Sequence, residues 1–72
     1  MPTIKVRVYP DLENVMVVEV NTLVVKEVLE VLKDLLRLQG QYAIVKSGRI
    51  LSNDEYISND DDITLIQVVE GG

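Results

Sequence analysis

The stretch from residue 25 to residue 38 reads VKEVLEVLKDLLRL and gives the clearest helix signal in the chain. Apolar residues recur in it at spacings of three and four, which places them along one face of a helix, while charged residues occupy the other face. The apolar stripe consists of Val25, Val28, Leu29, Leu32, Leu35 and Leu36. Asn21 or Thr22 can cap the start of this helix by accepting a backbone N–H bond, and Gly40 is placed to end it at the C′ position.

Three further apolar residues widen the stripe: Val24, Val31 and Leu38. The sequence leaves two interpretations of them open. They cover the edge of a sheet on which the helix packs, or they form a contact between the helices of two copies of the chain.

Strand patterns surround the helix. Residues 3–9 alternate apolar and polar side chains, and residues 15–20 form a β-branched run, so two strands precede the helix. Their short connection, which contains Pro10, favours an antiparallel hairpin. Three strands follow the helix, at residues 41–46, 49–51 and 63–69.

The connections after the helix have their own signals. Ser47-Gly48 is suited to a two-residue hairpin turn, because glycine accepts a positive φ angle. Tyr56 and Ile57 are predicted to anchor an irregular loop to the core, and residues 58–62 form a polar turn.

The predicted element order is β-β-α-β-β-β, an α+β arrangement in which one helix packs on one face of a small mixed sheet. The first and last strands lie side by side and run parallel, because their connection crosses over the helix. We expect residues 1–72 to form a single domain with a flexible tail at residues 70–72.

Composition excludes several classes of function. The chain of 72 residues has no Cys and no His, which rules out disulfides, Cys/His zinc sites and Ser-His or Cys-His catalysis. Its net charge of -5 disfavours nucleic-acid binding. We found no apolar run long enough to span a membrane and no signal peptide, so we expect a cytoplasmic protein.

The remaining motifs are few. The four glycines are too scattered to form a phosphate-binding loop, so no ATP site is expected. The carboxylates at residues 60–62, with Asp54 and Glu55, lack the spacing of a calcium loop, and we interpret them as a charged turn. No catalytic residue and no metal site is predicted.

The last two residues are Gly71 and Gly72. Glycine has no Cβ, so such an ending presents an unhindered carboxylate on a backbone that fits a narrow channel. Residues 70–72 can span roughly 10 Å when extended. The pair has weak specificity by itself, since chance endings and cloning scars also produce it, but it gains specificity by following the last strand directly.

The whole chain resembles the ubiquitin-like sulfur carriers of the ThiS and MoaD families and the small archaeal modifier proteins, which share the β-grasp fold. The resemblance is most specific in residues 61–72, which read DDITLIQVVEGG: an acidic turn, a strand and the Gly-Gly end. MoaD-like proteins usually carry an aromatic residue and prolines before the final glycines. This chain has Ile66-Gln67-Val68-Val69 there, so its ending is more similar to ThiS or to the archaeal modifiers.

The resemblance implies a cycle that partner proteins carry out. An E1-like enzyme with ATP and Mg²⁺ would adenylate the carboxylate of Gly72, and a sulfur donor would convert it to a thiocarboxylate. A synthase or thiolase would then accept the sulfur for thiazole, molybdopterin or tRNA. Alternatively, the activated Gly72 would be joined to lysines of target proteins. In both cases the chain is a carrier and not an enzyme, binds no cofactor itself, and is expected to be a monomer when free.

A docking surface is expected beside the tail. By strand alternation, Ile63 and Leu65 point to the core, while Thr64, Ile66 and Val68 point outward. Exposed apolar side chains at this place would suit a partner protein, although Val68 could instead pack on a neighbouring strand. Tyr42 and Ile44 are predicted to share this face. A third interpretation is a plain interaction domain whose Gly-Gly ending is incidental.

Overall fold

The computed structural model describes residues 1–69 of the chain. The elements are strands β1 (Thr3–Val8) and β2 (Asp11–Glu19), helix α1 (Val25–Leu35), and strands β3 (Gln41–Lys46), β4 (Arg49–Ile50) and β5 (Asp62–Val68). The predicted order β-β-α-β-β-β is confirmed. The predicted flexible tail at residues 70–72 lies outside the described residues.

The five strands form one mixed sheet in the order β2-β1-β5-β3-β4. β1 and β2 form an antiparallel hairpin, and so do β3 and β4. β5 joins the two hairpins, because it pairs parallel with β1 and antiparallel with β3. The central parallel pair is the one that the sequence predicted, and the whole arrangement is a ubiquitin-like β-grasp fold.

One aliphatic core lies between the helix and the face of the sheet that the helix covers, which we call the inner face. Twelve buried residues form it: Ile4, Val6, Val18, Val20, Val25, Val28, Leu32, Ile44, Leu51, Ile57, Ile63 and Leu65. Full burial of an aliphatic side chain of this size contributes about 1.5–3 kcal/mol relative to leaving it exposed. The opposite, outer face of the sheet has no helix on it among the described elements.

The helix starts differently from the prediction. Thr22 accepts a bond from the N–H of Val24 (3.3 Å), but neither Asn21 nor Thr22 caps the helix with its side chain. The first N–H groups of the helix instead donate to backbone carbonyls of a later loop, Val25 to Glu55 (2.9 Å) and Lys26 to Asn53 (3.0 Å). These carbonyls satisfy groups that would otherwise have no partner at a helix start.

The helix also ends before Gly40. Arg37 has a φ of 54° and occupies the C′ position, and its N–H bonds the carbonyl of Asp34. The N–H of Leu38 bonds the carbonyl of Lys33 at 2.9 Å, which completes a Schellman motif. The prediction that Gly40 is the C′ residue is therefore wrong. Gly40 serves the turn into β3, where its φ is 91°.

Three further details differ from the sequence expectations, and the turn between β3 and β4 agrees with them. β2 begins at Asp11 rather than residue 15, so the turn around Pro10 is tighter than predicted. Leu35 is exposed, because it lies at the rim of the helical stripe rather than at its centre. Ile57 is buried as predicted, whereas Tyr56 is 73% exposed, so it joins the loop to Val24 through its backbone and not through its side chain. The turn at Ser47-Gly48 is confirmed, with positive φ angles of 53° and 76°.

Candidate docking surface beside the last strand

Strand β5 has two faces of different character. Ile63 and Leu65 are fully buried in the core, whereas Thr64 and Ile66 are only partly buried on the outer face. Val68 is 41% exposed. The alternation of side chains along β5 is therefore as predicted, and the outer side chains lead along the strand toward the tail.

The register with β3 determines which residues surround these side chains. Ala43 lies opposite Ile66, Gln41 lies opposite Val68, and Val45 lies opposite Thr64. A small alanine beside Ile66 leaves the isoleucine accessible. We call the surface formed by Thr64, Ile66, Val68, Ala43 and Val45 the outer patch.

The prediction that Tyr42 and Ile44 share this surface is wrong. Ile44 pairs with Leu65 and is fully buried in the core. Tyr42 pairs with Gln67 and packs against the core from the inner face. Because side chains alternate along a strand, Ala43 and Val45 take the outer positions that had been expected for Tyr42 and Ile44.

Apolar exposure continues from the outer patch onto neighbouring residues. Ile50 of β4, which pairs with Val45, is 60% exposed. Val69, directly after β5, is 81% exposed. Exposed apolar side chains that lie together are typical of protein-docking surfaces. Gly71 and Gly72, predicted as the activated end, follow Val69 in the chain and lie outside the described residues.

Arg7 is a charged residue near this surface that is engaged in an ion pair. Arg7 of β1 lies beside Thr64 on the outer face and pairs with Asp62. The Nε of Arg7 also donates to the carbonyl of Leu12 at 3.0 Å, which holds its side chain in place. Arg7 therefore forms an ordered polar border to the outer patch.

The acidic turn before β5 has a structural role. Burial acts to raise the pKa of Asp61, but the hydrogen bond from Lys46 and the N–H of Ser58 outweigh it, so the pKa lies below its usual value. Lys46 Nζ lies 2.7 Å from the carboxylate of Asp61. Asp60 and Asn59 bind the start of β1 through Thr3. The turn thereby fixes the beginning of β5 against β1 and β3.

A second ion pair holds the loop that follows β4. The carboxylate of Glu55 accepts bonds from Arg49 (2.8 and 3.2 Å) and from both the backbone N–H and hydroxyl of Ser52. The bond from Arg49 is the largest cause that lowers the pKa of Glu55 to about 2. The same bond raises the pKa of Arg49. Lys46 and Arg49 are therefore each paired with an acidic residue of the same chain.

The described part of the chain contains no assembled metal-binding cluster. Within residues 1–69, no three acidic side chains come together in a way that could hold a metal ion. The helix side of the molecule has shallow grooves lined mainly by charged residues such as Glu30, Lys33 and Asp34. The single helix of this part of the chain is too short to cross a membrane.

Comparison with known proteins supports the fold. No family model and no curated protein matches the chain. Among solved structures, it is similar to the ubiquitin of Caldiarchaeum subterraneum, with a TM-score of 0.71 and 19% sequence identity. The match covers 99% of this chain and 98% of that one. At this identity the similarity establishes the ubiquitin-like fold.

Proposed function

We propose that this protein is a small sulfur carrier whose Gly72 carboxylate is adenylated by an E1-like enzyme and then converted to a thiocarboxylate. The proposal requires a free carboxylate at Gly72. In this role the domain is the substrate of the activating enzyme and supplies recognition but no catalytic group. ATP and Mg²⁺ belong to the activating enzyme, and the cytoplasm is the compartment we assign to the cycle.

The observation that carries the proposal is the position of the outer patch. β5 is held on both sides, by β1 and β3, and ends at Val68. A partner that binds Ile66 and Val68 would therefore lie within a few residues of Gly72. Three extended residues reach roughly 10 Å. A partner docked on the outer patch could therefore hold the carbonyl of Gly72 in an active site about that far away.

The chemistry explains why the domain needs no reactive side chains. A carboxylate is a poor electrophile at neutral pH. Attack of a Gly72 oxygen on the α-phosphate of ATP would release pyrophosphate and form an acyl adenylate. AMP is a good leaving group, so hydrosulfide supplied by the sulfur donor could replace it at the carbonyl, where a C–S bond forms as the C–O bond to AMP breaks. Absence of a Cβ at Gly71 and Gly72 leaves that carbonyl open to attack.

A protein modifier is the second candidate, and the similarity to an archaeal ubiquitin favours it. The two functions share the adenylate and differ in the nucleophile that follows, sulfur in one case and the amine of a lysine in the other. Intact mass of the protein purified from its own cells distinguishes them. The sulfur carrier has one oxygen replaced by sulfur at the C-terminus, whereas the modifier appears as a ladder of Gly72–lysine conjugates on a denaturing gel.

Deletion of Gly72 tests the activated end directly. We expect the truncated chain to lose ATP-dependent adenylation while its thermal unfolding stays unchanged, because β5 ends at Val68. Glu70→Gln is the matched control, since it alters the tail but retains both glycines. Full adenylation of the truncated chain would contradict the role of Gly72 as the activated end. No adenylation of the unmodified chain, with neither a thiocarboxylate nor lysine conjugates, would leave a plain interaction domain.

A further inference from the structure

Strand β2 has a free edge. It is the outermost strand on its side of the sheet, and no strand among residues 1–69 pairs with its outer side. Its regular part runs from Met16 to Glu19, which pair residue by residue with Val6 back to Thr3. The opposite edge strand, β4, has only two residues. Unpaired backbone N–H and C=O groups along such an edge can pair with another extended chain.

The side chains of β2 add apolar contacts and one sign of charge to this edge. Val17 is 69% exposed and Val15 is 41% exposed. Glu13 and Glu19 lie beyond them on either side and are exposed. β2 contains no basic residue and no proline, and neither glutamate takes part in the ion pairs of the described residues. The edge thus has two exposed valines with an acidic residue on each side in sequence: Glu19 within the regular pairing and Glu13 within the irregular part of β2.

In the register centred on Met16, this charge pattern argues against a second copy of the chain as the occupant. Antiparallel pairing of two β2 strands centred on Met16 would place Glu13 of each copy opposite Glu19 of the other. Like charges directly opposite each other destabilise a strand pair. A peptide with basic residues at the matching positions would replace both repulsions with attractions.

We propose that the free edge of β2 binds an extended peptide that has basic residues on both sides of a short apolar alternation. The peptide would add a sixth strand to the sheet, with backbone hydrogen bonds supplying affinity and the two glutamates supplying selectivity. Val15 and Val17 would contact the apolar side chains of the peptide. This site is separate from the outer patch and from the tail, so it does not depend on the function proposed for Gly72.

Binding of synthetic peptides to the full chain tests the proposal. The probe is acetyl-Lys-Thr-Val-Thr-Val-Thr-Lys-amide, which carries both lysines and both valines on one face of a strand. Its control has glutamate in place of both lysines. We expect amide NMR shifts confined to β2 and its neighbour β1, new protection of β2 amides from hydrogen exchange, and affinity for the lysine peptide about tenfold above that for the control.

A charge-reversed protein sharpens the test. The double variant Glu13→Lys, Glu19→Lys should reverse the preference and bind the glutamate peptide more tightly. The double variant Glu30→Lys, Asp34→Lys makes the same change of net charge on the helix and should retain the preference of the unmodified chain. Equal affinity for both peptides, shifts centred on the outer patch, or dimerisation through β2 without peptide would each overturn the proposal.

Discussion

The two faces of β5 differ in what their side chains contact, although they alternate along the same seven residues. Leu65 is surrounded by the core and fully excluded from water, whereas its neighbour Ile66 lies beside the small side chain of Ala43 and stays partly accessible. The inner face determines stability and the outer face is available for recognition. Mutations one residue apart should therefore separate these two properties.

The largest expected effect is on the inner face. Leu65→Ala should lower the free energy of unfolding by about 2–5 kcal/mol, because it removes buried methyl groups and leaves a cavity. Urea unfolding measures this change. Ile63→Val is a milder inner-face variant, with an expected cost of about 0.5–1.5 kcal/mol. Val68→Ala on the outer face is the control and should change stability by no more than about 0.5 kcal/mol. Similar losses for Val68→Ala and Leu65→Ala would contradict the comparison.

The second effect concerns recognition at the outer face. Ile66→Asp should lower kcat/KM for ATP–pyrophosphate exchange by the activating enzyme of the same organism about tenfold or more, since a charge would enter the centre of a docking surface. Its effect on unfolding should be smaller than that of Leu65→Ala. Val17→Asp makes the same substitution on β2, away from the outer patch, and should leave the exchange rate unchanged. A collapse of the fold in Ile66→Asp would show that Ile66 belongs to the core.

The smallest expected effect is on the pH dependence of stability, and it comes from the ion pair between Glu55 and Arg49. The pKa of Glu55 is lowered from 4.5 to about 2 in the folded protein. A lowered folded-state pKa adds stability above pH 4.5, and this stability is lost as the pH falls toward 2. Glu55→Gln should therefore flatten the dependence of stability on pH in this window.

Urea unfolding at a series of pH values between 2 and 6 measures this slope. Arg49→Met removes the main hydrogen-bond partner and should flatten the curve in the same direction. Unchanged slopes in both variants would mean that the Glu55–Arg49 pair is not maintained in solution.

Much of the fold follows from patterns that are local in sequence. The period of the helix and the alternation in β1 and β5 each reflect one buried side, so they predicted those elements and the inward direction of Ile63 and Leu65. The central parallel pair followed from chain connectivity. These features need no knowledge of distant contacts.

The features that sequence reasoning missed depend on contacts between distant residues. Residues 42–45 are all apolar, so the face of each one is decided only by the register of β3 against β5, which places Ala43 beside Ile66. The start of the helix is capped by carbonyls of Asn53 and Glu55, roughly thirty residues later, and no local signal reveals them. At the end of the helix, the backbone hydrogen bonds of the Schellman motif hold Arg37 at a positive φ angle, so the glycine expected at the C′ position is not required.

The sheet order has a consequence for biosynthesis. A ribosome makes the β1–β2 and β3–β4 hairpins first, and these do not pair with each other. β5 is translated after them and inserts between them, carrying Ile63 and Leu65 into the core. A nascent chain that stops before residue 62 has two hairpins that form no strand pairing with each other, so the five-stranded sheet cannot form. The strand that leads to the tail is therefore also the strand that completes the domain.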